Sequence, residues 1–215
     1  IEHEPVFRDD LTGQLLDPAL VRLARAKELE YFDAKCVWEK RALGEARRVT
    51  GKPHVTVRWV DVNKGDNQNP NIRSRLVARQ IRQAGEEAIF APTPPLEALR
   101  SVLSLAMTDF PGRPLHVRDP KSERRTQVSA IDISRAYFNA STEGSDPTYV
   151  NLPQEDPDHK EKCGLLKKHM YGTRAAAGGW QEEYSTFLVE TLGFTQGLSS
   201  PCIFMHPKRD IKVNV

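Results

Sequence analysis

The sequence predicts an α+β fold, and three observations carry that expectation. A β-branched run at 54–62 is answered by a second extended run at 72–79 across a loop dense in turn formers. Two windows, at 18–34 and 94–108, repeat their apolar residues at helical spacing. The end of the chain, 202–205 and 211–215, reads as two short strands around a turn at 206–210.

Residues 1–17 are polar and turn-rich, and Asp17-Pro18 reads as an N-cap with proline at the first helical position. The helix that follows, to about Ala34, gathers Leu20, Val21, Ala24, Tyr31 and Phe32 on one face, with Glu28 intruding. Residues 41–52 are basic and expected to be partly helical before Gly51. Thr93 is the expected cap of the next helix, whose apolar face is Leu96, Leu99, Leu103 and Ala106. Residues 90–95 read as an extended linker and 111–126 as loop. Gln127-Val-Ser-Ala-Ile-Asp-Ile133 reads as a short strand, with Ile131 and Ile133 directed into a core and Asp132 on the other face; a helical turn follows near 134–140. Further short strands are expected at 149–153 and 164–170. A helix is expected at 175–192, with Trp180, Tyr184, Phe187, Leu188 and Thr191 on one face and Gly193 closing it.

A chain of 215 residues suits one large domain or two small lobes. Its net charge of +2 puts any affinity for polyanions in local clusters rather than in the whole molecule. The three cysteines are scattered and form no CxxC pair, which argues against a zinc knuckle and fits a reducing compartment. No apolar run approaches the ~18 residues of a membrane span, and no signal peptide is visible. The chain begins without methionine, so a product cut from a longer polypeptide, or a fragment, is expected. The histidines form no metal-protease pattern, and no nucleophile elbow, phosphate-binding loop or dinucleotide fingerprint occurs.

Asp132 is the most informative residue. A carboxylate on an apolar strand is costly unless it is paired or bound to a metal; taken alone, a capping or salt-bridged aspartate is the favoured explanation. Arg73, Arg75 and Arg79 alternate at period two, so on a strand they share a face suited to phosphate, or simply to solvent.

The order of the motifs narrows these alternatives. Arg75-Leu-Val-Ala-Arg79 resembles an Arg-Leu-Val-Ala-Lys segment of the reverse transcriptases of Ty1/copia-type retrotransposons, and Phe90-Ala-Pro-Thr-Pro-Pro resembles their Phe-Ser-Pro-Val segment. Ile131-Asp-Ile-Ser-Arg-Ala-Tyr-Phe-Asn139 is similar to Leu-Asp-Val-Lys-Thr-Ala-Phe-Leu-Asn. Tyr149-Val-Asn-Leu-Pro153 resembles Tyr-Met-x-x-Pro, and Leu166-Lys-Lys-His-Met-Tyr-Gly172 resembles Leu-x-Lys-x-Leu-Tyr-Gly, with Trp180 at the family's tryptophan. These blocks occur in the family's order over 54–215.

The resemblance implies the fingers and an incomplete palm of a right-hand polymerase: 1–53 an N-terminal helical extension, 54–95 fingers, 96–215 the rest of the fingers and most of the palm. It implies RNA-templated DNA synthesis from deoxynucleoside triphosphates on a DNA primer, with two Mg²⁺ ions about 3.5–4 Å apart and Mn²⁺ as a substitute. Asp132 would bind both ions, and the backbone carbonyl of Ile133 could take one position. Tyr137 would lie under the incoming sugar and exclude a 2′-hydroxyl; a core aromatic is the other reading. Arg75, then Arg73, would meet the triphosphate. Tyr171 and Gly172 would begin a helix beneath the template base, glycine allowing close approach, and Arg174 could contact phosphate. The partners implied are the RNA template, the primer and the rest of a Pol polyprotein, with no membrane, in the cytoplasm (virus-like particles) or nucleus.

Two departures limit this expectation. Ala175-Ala-Ala-Gly178 stands where the family has Gln-Ala-Pro-Arg, which removes template-side groups. The family's paired aspartates, expected immediately after Val215, are not in this sequence, and Asp210 is a lone acid in the final turn. The chain by itself is therefore expected to be inactive or severely impaired. The alternatives are a non-catalytic nucleic-acid-binding relic, or an unrelated metal-dependent nuclease drawing on Glu143 and Asp146.

Overall fold

The computed structural model describes residues 5–81, 93–108, 128–209 and 211–215. The elements run β1 (Phe7–Arg8), β2 (Leu15–Leu16), α1 (Pro18–Ala34), β3 (Trp38–Ala42), α2 (Glu45–Thr50), β4 (Val57–Asn63), β5 (Ile72–Ala78), α3 (Leu96–Ala106), a 3-10 turn (Ala136–Asn139), β6 (Tyr149–Asn151), β7 (Lys162–Leu166), α4 (Ala176–Thr186), a π-helical turn (Phe187–Thr191), β8 (Thr195–Gln196), β9 (Ile203–His206) and β10 (Ile211–Asn214). The fold is α+β, with antiparallel sheets. The chain divides into two compact units, one of residues 1–89 and 135–180, the other of 90–134 and 181–215.

The first unit is built on the β4–β5 hairpin and α1. Asp17 is extended and its Oδ1 accepts from the N–H groups of Ala19 and Leu20 at 2.8 and 3.0 Å, the cap its sequence predicts. The hairpin pairs Trp59 with Leu76 and Val60 with Arg75. Its loop is tied by Asn63 and Asp66, whose side-chain oxygens accept from the N–H groups of Gly65, Asn71, Gln68 and Asn69. Strand alternation buries Ser74, Leu76 and Ala78 of β5 and turns Arg73, Arg75 and Val77 to the other face. Phe32 of α1 shares a core with Leu76, Ala78, Trp38, Phe138 and Met170, its ring 4.7 Å from Trp38 and 4.8 Å from Phe138. The segment 41–52 is helical only at α2, which ends at left-handed Gly51. Before it lies β3, which pairs with β7 and brings the N-terminal residues into a sheet with β6 and β7.

In the second unit β10, β9 and β8 form an antiparallel sheet over Phe204 and Cys202, with Tyr184 edge-on to Phe204 at 6.0 Å. α3 packs near β10. Its N-cap position is held by Pro95 without a side-chain bond, so Thr93 is not the cap. The final helix loosens into the π-helical turn and closes at left-handed Gly193, where the sequence expects the stop.

The expected strand around Asp132 does not form. Residues 128–133 are irregular, and Ile131 is 85% exposed rather than in a core. A strand needs a neighbour to take up its backbone groups, and among the described residues none pairs with it. The linker at 90–92, the loop at 111–126 and Asp210 lie outside the described residues. Among those described, no helix is long and apolar enough to cross a membrane.

Candidate functional site

The first unit gathers an aromatic shelf with an arginine over it. Three packed segments build it: the outward face of β5, the 3-10 turn after Asp132, and the turn after β7. Tyr137 lies in the 3-10 turn, half-buried, its ring 4.7 Å from that of Tyr171 and tilted by 57°. Phe138 beside it is buried and meets Tyr171 edge-on at 5.7 Å. The guanidinium of Arg75 stands 5.1 Å over the Tyr171 ring. Arg75 Nε is buried, and among the described residues it has no hydrogen-bond partner. Arg73 is exposed on the same strand face, two residues away.

The electrostatics are those of a neutral, cation-capped surface. Burial pushes the Tyr171 phenol above the ordinary tyrosine range, and Arg75 pulls only part of that back. Tyr171 is therefore a neutral hydroxyl at pH 7, able to donate or accept a hydrogen bond while the positive charge sits on the arginines.

Gly172 stands close against the backbone of its own fold. Its φ is +80°, and a Cβ placed there would stand 1.9 Å from the carbonyl oxygen of Ala78. The Ala78 N–H donates to the Tyr171 carbonyl at 2.7 Å, and the Gln80 N–H donates to the Gly172 carbonyl at 3.2 Å. Gly172 thus locks the Tyr171 turn to the end of β5 and sets Tyr171 beneath Arg75. No helix begins at this pair, since α4 starts at Ala176. The Arg174 N–H donates to Gln80 Oε1 at 2.8 Å, which ties that residue too to the tail of β5. Arg79, beyond the strand, is exposed and donates its N–H to the Thr56 carbonyl at 2.8 Å.

Asp132 and Ile133 are exposed residues of the irregular segment, assigned to the second unit with β10. A two-ion Mg²⁺ site requires several hard oxygen ligands converging. Among the described residues no three His, Cys, Asp or Glu side chains converge so as to hold a metal. Among the described residues, then, neither Asp132 with the Ile133 carbonyl nor Glu143 and Asp146 belongs to such a cluster.

Two residues at the shelf were not foreseen as functional. Arg135 has a left-handed backbone, φ 50° and ψ 49°, although it is not glycine. Its Nε and Nη2 donate to Glu28 Oε2 at 3.0 and 2.8 Å, and its guanidinium lies 4.1 Å over the Tyr31 ring. Glu28 is 1% exposed. Its intrusion into the apolar face of α1 was the visible signal, since a buried carboxylate on a helix implies a cation from elsewhere.

The family model described as "Reverse transcriptase (RNA-dependent DNA polymerase)" matches residues 47–214. The chain is 24% identical, over 163 residues, to the "Retrovirus-related Pol polyprotein from transposon RE2" of Arabidopsis thaliana. That alignment covers 71% of this chain and 10% of the relative, so the chain spans about a tenth of its length. No solved structure matches.

Proposed function

This chain belongs to the reverse transcriptase (RNA-dependent DNA polymerase) family, and from that premise we propose that it forms the fingers and part of the palm of a retrotransposon polymerase. The observation that carries the reading is the Tyr137–Tyr171 shelf capped by Arg75 and flanked by Arg73. A deoxynucleoside triphosphate meets such a surface by phosphate contacts to the arginines and by its sugar against the Tyr137 ring. The half-buried arginine over an aromatic ring loses less water on binding phosphate than a fully solvated one, which favours it as the anchor.

The parent reaction is RNA-templated addition of deoxynucleotides to a DNA primer. Residues 1–53 pack on the fingers, and the remaining parts of the Pol polyprotein complete the enzyme. The natural setting is the cytoplasm, in virus-like particles, or the nucleus. Mg²⁺, or Mn²⁺ in its place, supplies the charge that such a transfer needs. No catalytic step is assigned to this chain, since among the described residues no three His, Cys, Asp or Glu side chains converge so as to hold a metal; that it extends no primer unaided is part of the proposal.

The second reading is a nucleic-acid-binding relic without polymerase use. Titrating the chain with an RNA–DNA hybrid, then with dTTP or UTP, separates them. Under the polymerase reading dTTP binds in preference to UTP, and Arg75→Ala weakens both about tenfold or more, the loss of one charge-assisted contact. Hybrid binding with no nucleotide binding supports the relic. Primer extension by this chain would overturn the statement that it is inactive alone.

A further inference from the structure

Glu28 and Arg135 carry an inference beyond nucleotide contact. Arg135 stands where the similar family motif has threonine, and Glu28 lies outside the residues that match the family, 47–214. Each is costly alone. A buried carboxylate is disfavoured without a cation, and a non-glycine residue is disfavoured in the left-handed region. The structure joins them: one Glu28 oxygen takes two N–H bonds from Arg135, while Tyr31, three residues along the same face of α1, stacks under the guanidinium.

The turn they hold is the one that presents the shelf. The Arg135 carbonyl accepts from the Phe138 N–H at 3.0 Å, and the Tyr137 carbonyl accepts from the Ala140 N–H at 3.1 Å. If φ at 135 relaxes to the ordinary region, that short helix cannot start where it does, and the Tyr137 ring loses its station beside Tyr171. Phe138 fixes the other side of the turn by its burial against Phe32.

We propose that Glu28 and Arg135 are positioning residues, through which α1 holds the left-handed turn and sets the Tyr137 ring against Tyr171. Any consequence for sugar selection rests on the function proposed above; the clamp itself does not. It also makes the N-terminal helix a working part of the site rather than an appendage.

The test is amide hydrogen exchange on the full chain. Glu28→Met removes the buried carboxylate and keeps a side chain of similar size, while Arg135, 27% exposed, can turn to solvent. Protection of the Phe138 and Ala140 amides is expected to fall tenfold or more, with Trp59 and Leu76 of the β4–β5 hairpin changed less than threefold. Glycine at 135 accepts the left-handed backbone without a clamp. In the Glu28→Met background, Arg135→Gly is therefore expected to restore protection, and Arg135→Ala to leave it lower by roughly five- to thirtyfold, the left-handed penalty of a Cβ. Glu28→Met with wild-type protection, uniform loosening of α1 and β5, or no difference between Gly and Ala would overturn the clamp. The dTTP over UTP preference, measured on the same proteins, should fall in Glu28→Met and return with Arg135→Gly. A wild-type chain with no such preference would sink the nucleotide reading, and the exchange result would still decide the clamp.

Discussion

Replacing Gly172 with alanine tests how the shelf is fastened to the hairpin. Two costs add. The left-handed conformation at φ +80° is disfavoured for alanine by about 1–2 kcal/mol. The new Cβ would also sit 1.9 Å from the Ala78 carbonyl oxygen, with the Ala78 carbon at 2.9 Å, so backbone rather than a flexible side chain must move. That movement weakens the bonds from the Ala78 N–H and the Gln80 N–H, each worth about 0.5–1.5 kcal/mol. The sum is about 2–5 kcal/mol, a large part of the ~5–15 kcal/mol that holds an ordinary domain. Gly144 is the control: its φ is +82° but a Cβ there meets nothing within 4 Å, so Gly144→Ala should cost only the conformational part, about 1–2 kcal/mol. Urea unfolding read by tryptophan fluorescence measures both, since Trp38 and Trp59 lie in the same unit. Equal costs for the two variants would refute the close approach at Ala78.

Other perturbations have defined outcomes. Phe32→Ala should lose about 3–5 kcal/mol in the same unfolding assay, because the ring fills the space between Trp38 and Phe138. Asp17→Ala should lose about 1 kcal/mol, with amide exchange rising first in the opening turn of α1. Burial pushes the Glu155 carboxyl up, but hydrogen bonds from Arg25 and Trp59 outweigh it and hold it below the ordinary glutamate value. A carboxyl with a depressed folded pKa contributes stability that is present above its unfolded value, about 4.3, and lost as pH falls through the lower folded value. Tm should therefore drop more steeply below about pH 4.3 in the wild type than in Glu155→Gln; parallel Tm–pH curves would contradict the pairing.

Much of this fold was legible in the sequence where a local rule and the packing agree. Asp17-Pro18 is a cap with its mechanism attached, and α1 starts there. The hairpin of β4 and β5 is announced by its turn residues and by alternation, which also puts Arg73 and Arg75 on one face. β3 was not legible: Trp-Glu-Lys-Arg-Ala reads as a charged surface, and it becomes a strand because β7 supplies its backbone partners. The stretch around Asp132 shows the reverse. Its alternation suggests a strand, yet among the described residues no neighbour pairs with it, and Ile131 and Ile133 are exposed. A glycine at 172 signals a tight backbone position, but sequence does not say that the group packed against it is Ala78. The Arg135 turn needed three-dimensional information, because its partners Glu28 and Tyr31 lie more than a hundred residues away in the sequence.

The most direct measurement is the ratio of dTTP to UTP affinity for the chain bound to an RNA–DNA hybrid, compared between wild type and Tyr137→Ala. A tyrosine ring beneath the sugar should give the wild type a clear deoxynucleotide preference, and its removal should bring the ratio close to one while dTTP still binds through Arg75. An unchanged ratio in Tyr137→Ala, or a wild type indifferent to the 2′-hydroxyl, would contradict the placement of the nucleotide on this shelf.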